Sequence, residues 1–489
     1  MREPFVPPRP LSRPEHKNFI ADKLALLRSG LGAFREGSYS TKTGRHRVPT
    51  LPWLKKRSLY IVRDPELVRE VLDKKADAYP KSSLMDAMLR SLTGYSIFVS
   101  NGDVWGRQRR LIDPALEQAR VRDVFARMKE AAEVCLGRLE AVADTAEPVA
   151  VDEEMTRFAA DVIFRTIFSE PIPEDAADRI IAAFEVFQGI TYAHGMLGLS
   201  NLPSRLMPGY SRANWAARSI RKAIHEPLRR RLALIKQGKP APDNDILAAL
   251  IGAVDPVTGT GFDEGELLDQ IAMLFLAGHE TSASGLAWTL YLMAECPHVQ
   301  DQMQAEAVRI MGEAEPEFSH MKRMSFIRDV FRETLRLYPP VAVLARDCPA
   351  GGQLGSRQVE PGAVVFVSPW LCHRQPDRWR QPHAFDPERF STPEGRAASI
   401  GGFFPFSLGP RVCPGAAFAY QEAILVLGMV SRRLRFEAVP GMTPQPLARL
   451  TLRSANGVRL RVYRRSIGPL AHQADVETIE SEAVPVEAG

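Results

Sequence analysis

The chain is short of several things, and each shortage narrows what it can be. It has five cysteines in 489 residues, widely spaced, with no C-x-x-C pair and no zinc-like Cys/His spacing. That argues against a disulfide framework and for thiols kept reduced, so a cytoplasmic location is expected. No apolar run reaches the ~20 uninterrupted residues of a membrane span. The N-terminal stretch, residues 1–18, is Pro-rich and charged instead of carrying an apolar signal core, so a soluble protein without a membrane anchor is expected. Internal repeats are absent, and no linker divides the chain into two hydrophobic halves. Neither charge dominates: 63 Lys+Arg stand against 58 Asp+Glu, a net +5. With no base-reading motif beside that modest excess, nucleic acid is not an expected partner. Asp475, Glu477, Glu480, Glu482 and Glu487 sit among few large apolar residues, which marks 466–489 as an acidic, disordered tail.

What is there begins with Phe406-Ser-Leu-Gly409-Pro-Arg411-Val-Cys413-Pro-Gly415. It reads as a loop that presents one thiolate to a haem iron. A thiolate ligand needs its negative sulfur stabilised. Gly409 and Gly415 let backbone amides approach it without a Cβ in the way. Pro414 stiffens the turn, Arg411 offers a donor fork suited to a haem carboxylate, and Phe406 would screen the sulfur from water. A buried structural cysteine in a Gly/Pro-rich turn is the other reading of this stretch taken alone.

Three further patterns stand upstream. Asp263 to Cys296 is a long apolar segment with a capping residue at one end and Pro297 at the other. Ala277-Gly278-His279-Glu280-Thr281 interrupts it. Gly278 would permit close approach of a flat ligand, and the Thr281 hydroxyl can loosen the helix ladder. Glu333 and Arg336 are spaced i, i+3, so they share a helix face that ends before Pro339-Pro340. Taken alone this is a common solvated pair, but Arg389 follows it before the cysteine loop. Trp105 and Arg109, at i and i+4, also share a face.

Together these motifs resemble the cytochrome P-450 superfamily of haem-thiolate monooxygenases. The cysteine loop matches F-x-x-G-x-R-x-C-x-G at every fixed position, and the others match A-G-x-[DE]-T, E-x-x-R and W-x-x-x-R. The resemblance covers residues 15–465 and implies one catalytic domain after a flexible segment, 1–14. It implies a mainly α fold with small β-sheets (α+β), a triangular helical prism around a buried haem b. By resemblance Cys413 is the iron ligand. Phe406, Arg411, Gly415, Ala277, Trp105, Arg109 and Arg346 contact the haem, and Thr281 and Glu280 serve oxygen activation and proton supply. Glu333, Arg336 and Arg389 form a structural triad, and His279 is a packing residue. Substrate contacts would come from Leu84, Met85, Phe98, Phe187, Met273, Val343 and Leu344, which suit a hydrophobic small molecule of terpenoid, fatty acyl, aromatic or steroid type.

The implied activity inserts one atom of O2 into that substrate, as hydroxylation or epoxidation. The electrons come from NAD(P)H through a separate ferredoxin or flavodoxin and its reductase, because no flavin or iron–sulfur module is fused here. Arg107, Arg110, Arg120 and Arg122 would steer that acidic donor. A soluble bacterial-type monomer is expected. Two alternatives stay open: a peroxygenase or oxidative-coupling member, and a haem-based sensor without turnover. Element by element, the pattern predicts a helix over 15–28, a hairpin over 48–62, and a helix from Asp64-Pro65 to Leu72. It predicts an irregular stretch over 81–96, helices from Val104 onward, and strands at 363–367 and 458–462.

Overall fold

The computed structural model describes residues 4–10, 19–34, 36–39, 43–47, 57–199 and 204–465. Among these residues helices dominate, and the strands gather into four small sheets. The longest helix, Glu264–Glu295, is apolar nearly throughout, so it runs through the core instead of lying on it. It starts in a capping box: Glu266 N donates to Asp263 Oδ1 at 2.8 Å, and Asp263 N donates to Glu266 Oε2 at 3.2 Å. It ends where Pro297 opens the next helix, Pro297–Met311. Around it pack Val151–Phe168, Tyr210–Lys236, Ser325–Leu337 and Ala416–Arg433.

The largest sheet joins β1 (Thr43–Arg47), β2 (Ser58–Val62), β4 (Leu344–Cys348) and β7 (Ala363–Val367) in the order β1-β2-β7-β4. Strand β2 runs parallel to β7 and the other pairs are antiparallel. A second sheet is β3 (Val149–Ala150), β11 (Arg459–Arg464) and β8 (Leu434–Ala438). The remaining pairs are β5 (Gly352–Leu354) with β6 (Arg357–Val359), and β9 (Pro446–Ala448) with β10 (Leu452–Ser454).

Several local expectations need correction. The stretch 81–96 is not irregular: Ser83–Thr93 is a helix, capped by Ser82 and stopped at Gly94 with φ +55°. Leu84, Met88, Leu89 and Leu92 are its buried face, a helical spacing that the polar residues between them obscured. The hairpin is wider than predicted, since β1 begins at Thr43, and residues 48–56 lie outside the described part. The helix from Pro65 gives way at Glu70–Lys74 to a π-type turn. The helix predicted from Glu15 is described from Phe19 to Arg28.

Residues 4–10, at the start of the chain, are seated on the fold. Phe385 N donates to Phe5 O at 2.9 Å, Tyr338 Oη donates to Pro8 O at 2.6 Å, and Phe5 packs edge-on to Tyr291. These apolar and prolyl residues gain more from a hydrophobic seat than from solvent. Residues 11–14 and the acidic stretch 466–489 lie outside the described part.

Candidate active site

Of the five cysteines, four are buried and Cys413 alone is exposed. Its loop is held from several sides. Cys413 N donates to Phe406 O at 2.9 Å, Arg109 Nη1 donates to Val412 O at 2.6 Å, and the Phe406 ring rests on Tyr420. Gly409 has φ +68°, and a Cβ there would lie 2.4 Å from Leu72 O, so only glycine fits against the 70–74 turn. Gly415 has no such constraint, with φ −90°; its N–H instead hydrogen-bonds the Cys413 sulfur. The surrounding protein desolvates the sulfur and pushes the thiol up, while the Gly415 N–H, Arg109 and Lys81 pull it back.

A cluster of cations gathers near the sulfur, Arg411 of the loop itself among them. Arg411 lies over the Trp105 ring at 4.2 Å and donates to Asn101 Oδ1 at 2.9 Å. Arg346 is 5% exposed and, among the described residues, donates only to its neighbour's carbonyl, Ala345 O at 3.1 Å. A β-bridge sets Lys81 beside Arg346, and Lys81 Nζ donates to Ile97 O at 2.9 Å. Burial, then repulsion from Arg411, pulls Arg346 down to about 10. Burial likewise pulls Arg411 down to about 10. Lys81 falls well below its usual value through burial and then through Arg411, Arg346 and Arg109. Among the described residues these cations hydrogen-bond carbonyls and one amide, with Asp77 as a counter-charge near Arg411, which leaves them poised for an anionic ligand. Arg109 is the exception, since its Nε pairs with Asp113 at 2.6 Å. An exposed thiol beside such a cluster suits a haem, for which Cys413 would hold the iron and the cations its carboxylates. Lys81 was missed from sequence, where nothing in its spacing sets it apart.

The triad residues meet in the core. Arg336 Nε and Nη2 donate to Glu333 Oε2 and Oε1 at 2.7 and 2.8 Å, and Arg389 Nε donates to Oε1 at 2.9 Å. Arg336 also donates to His373 O, Pro382 O and Ala384 O at 2.7–2.9 Å, tying the helix to the chain that leads into the cysteine loop.

On the long helix Ala277 and Thr281 are half-buried on one face, and Thr281 Oγ1 donates to Ala277 O at 2.7 Å. Gly278 does not serve the approach of a ligand as the sequence reading expected. A Cβ there would meet Ile163 at 2.9 Å, so its absence lets the 151–168 helix pack close. His279 is buried, with Nδ1 2.8 Å from Phe275 O and its ring edge-on to Phe184. Glu280 is buried and bound on both oxygens by Arg453, with Thr451 as a further donor. Burial would raise its carboxyl, but Arg453, His279 and Thr451 together hold it below the usual value. One residue on, Ser282 donates to Glu422 at 2.8 Å. Burial pushes Glu422 up to about 8. Neither Arg453 nor Glu422 carries a local signal in sequence.

A model of the family described as cytochrome P450 matches residues 47–459. This chain belongs to the cytochrome P450 family.

Curated relatives agree. The P450 is 30% identical over 78% of its length to cyclooctat-9-en-7-ol 5-monooxygenase of Streptomyces melanosporofaciens, covering 81% of that protein. It is 28% identical over 81% of its length to cytokinin hydroxylase of Arabidopsis thaliana, covering 77% of that protein. The crystal structure of the cytochrome P450DA heme domain superposes with a TM-score of 0.78 at 25% identity, covering 94% of this chain and 98% of that one. The protein is an oxidoreductase of the P450 monooxygenase class, and its family implies haem, O2 and a source of electrons. Among its described residues no helix is long and apolar enough to cross a membrane.

Of the expected substrate contacts, Met85, Phe98, Val343 and Leu344 are half-buried, whereas Leu84, Phe187 and Met273 are packed in the hydrophobic core. The arginines expected to steer an electron donor are partly spent inside the fold. Arg107 pairs with Glu266 at 2.8 Å and Arg110 with Asp255 at 2.6 Å.

Proposed function

We propose that this P450 hydroxylates or epoxidises a hydrophobic, terpenoid-type small molecule, drawing electrons from a separate ferredoxin or flavodoxin in the cytoplasm. The observation that carries the reading is the exposed Cys413 thiol beside the cation cluster of Lys81, Arg346 and Arg411. When bound there, a haem supplies reductive activation of O2, favoured by a thiolate ligand. The chain's own residues do the rest. Arg346, Arg411 and Lys81 anchor the carboxylates, and Trp105 backs Arg411. The Gly415 N–H stabilises the sulfur's charge. Met85, Phe98, Val343 and Leu344 offer apolar surface with adaptable side chains. Thr281 presents a hydroxyl whose bond to Ala277 O can be exchanged for one to a water or to oxygen. The name of the Streptomyces relative supports an apolar alcohol of the kind of cyclooctat-9-en-7-ol as substrate.

The test is product formation from cyclooctat-9-en-7-ol and related cyclic terpenoids with O2, NAD(P)H and a surrogate ferredoxin and reductase. Thr281→Ala should lower product per NAD(P)H consumed and release peroxide instead. Unchanged coupling in that variant would remove Thr281 from oxygen activation.

A further inference from the structure

Residues 94–101 join the Ser83–Thr93 helix to the Gly102–Ile112 helix. Two consecutive side chains fasten this loop to the long helix. Asp269 makes the first fastening: its Oδ2 accepts from Tyr95 N at 2.9 Å, and its Oδ1 pairs with Arg221 at 2.8 Å. Arg221, on the 210–236 helix, also donates to Leu92 O at 3.0 Å in the last turn of the 83–93 helix. One carboxylate therefore ties the loop, the 83–93 helix and the 210–236 helix to the long helix. Gly94 makes room for it, since a Cβ there, at φ +55°, would overlap the Asp269 carboxylate. Gln270 makes the second fastening, its Oε1 accepting from Ile97 N at 3.1 Å.

That second fastening is under-satisfied. Gln270 is 0% exposed, and its Nε2 has no hydrogen-bond partner among the described residues. Ser96, one position before Ile97, is equally buried, and its Oγ also lacks a partner. Exchanging the ends of the amide gives no relief, because the Ile97 N–H would then face a donor. Each orphaned group costs free energy that contact with water would recover. The closed joint thus carries its own drive to open, and Asp269 opposes it. Asp269 and Arg221 keep 21% and 24% of their side-chain surface exposed, so water can compete for the latch. On the other side, Gln108 Nε2 donates to Tyr95 O at 2.7 Å and Lys81 Nζ to Ile97 O at 2.9 Å, which limits the swing. Half-buried Met85 and Phe98 lie on the two arms of this joint, one on the 83–93 helix and one in the loop.

We propose that residues 94–101 form a two-position gate for apolar ligands, latched by Asp269 through Arg221 and driven open by the unpaired Ser96 and Gln270. Open, the joint admits water, which supplies the partners that Ser96 Oγ and Gln270 Nε2 lack. Closed, it sets Met85 and Phe98 against the ligand. A packed joint of this kind has two discrete arrangements instead of a continuous range. The inference rests on the P450 reading for the nature of the ligand, and its geometry stands apart from that reading.

The experiment has two arms. The first is hydrogen exchange of the Tyr95 and Ile97 amides in the protein without organic ligand, which reads the opening directly. Asp269→Ala should speed exchange at both amides by about tenfold, and Ser96→Ala should slow it severalfold, because it removes an unpaired group from the closed state only. The second is the stopped-flow rate at which dodecylimidazole binds the haem-loaded protein. It should rise about tenfold in Asp269→Ala and Arg221→Met and fall in Ser96→Ala. A merely structural contact would not give opposite signs. The gate is overturned if Ser96→Ala speeds both readouts or moves neither, if Asp269→Ala leaves exchange unchanged, or if exchange responds while the binding rate does not. Should Asp269→Ala not fold, Arg221→Met takes its place in both arms. A wild type that shows no spectral change with the azole would instead sink the haem reading, and the exchange arm would still decide whether Asp269 latches the loop.

Discussion

Glu422 should make this P450 lose stability as pH rises, and replacing it should abolish that loss. The residue is 1% exposed on the 416–433 helix. Its Oε2 accepts from Ser282 and its Oε1 has no hydrogen-bond partner. Burial raises the carboxyl from 4.5 to about 8, with the Ser282 bond pulling weakly the other way. A raised folded value means the folded state keeps its proton where the unfolded chain has already lost one. The stabilisation is therefore complete below pH 4.5 and declines as pH climbs through about 8. That interval corresponds to at most about 5 kcal/mol, or roughly 5 °C of Tm for a chain of this length. Glu422→Gln keeps the shape and can still accept from Ser282, but it cannot ionise. Thermal and urea unfolding of both proteins from pH 5 to pH 9 is the assay. Near pH 5 the two should agree within about 1 kcal/mol, and above pH 8 the variant should be the more stable by several. Parallel curves across the whole range would refute the argument that Glu422 is neutral in the folded protein.

Other consequences follow from the anchoring of the cysteine loop. Glu333→Gln removes the carboxylate that accepts hydrogen bonds from both Arg336 and Arg389. It should cost about 3–5 kcal/mol, read by urea unfolding and by the fraction of protein that retains haem. Gly409→Ala forces a Cβ against Leu72 O at a positive φ and should cost about 1–3 kcal/mol with a loosened loop. Gly415→Ala, whose Cβ would come no nearer than 3.9 Å to the Cys413 sulfur, should fold and load haem nearly as well as wild type. Arg346→Leu gives up a buried charge-assisted contact worth about 1.5–3 kcal/mol. Transfer of haem to an apoprotein acceptor should speed up by about tenfold or more.

Much of the site was legible because its chemistry is packed into short windows. The cysteine loop carries its ligand, its glycines and its arginine within ten residues, and Glu333 with Arg336 needs only one helical turn. The long helix declared itself through Asp263, Pro297 and an apolar run broken once. What escaped were residues whose role depends on distant partners. Lys81 joins the cation cluster only because a bridge sets it beside Arg346. Arg453 meets Glu280 across 173 positions of sequence. Glu422 sits in an ordinary-looking helix, and only burial makes its carboxyl unusual. Gly278 was misread for the same reason, since its neighbour Ile163 lies on another helix. The helix at Ser83–Thr93 was missed because its polar face interrupts the apolar pattern in print but not in space.

The central claim is that Cys413 binds haem iron as a thiolate, and the CO difference spectrum of the dithionite-reduced protein tests it most directly. The account predicts a Soret band at the long-wavelength position of haem-thiolate proteins in the wild type, absent in Cys413→His. A band at the shorter, histidine-like position in well-folded wild type would contradict it.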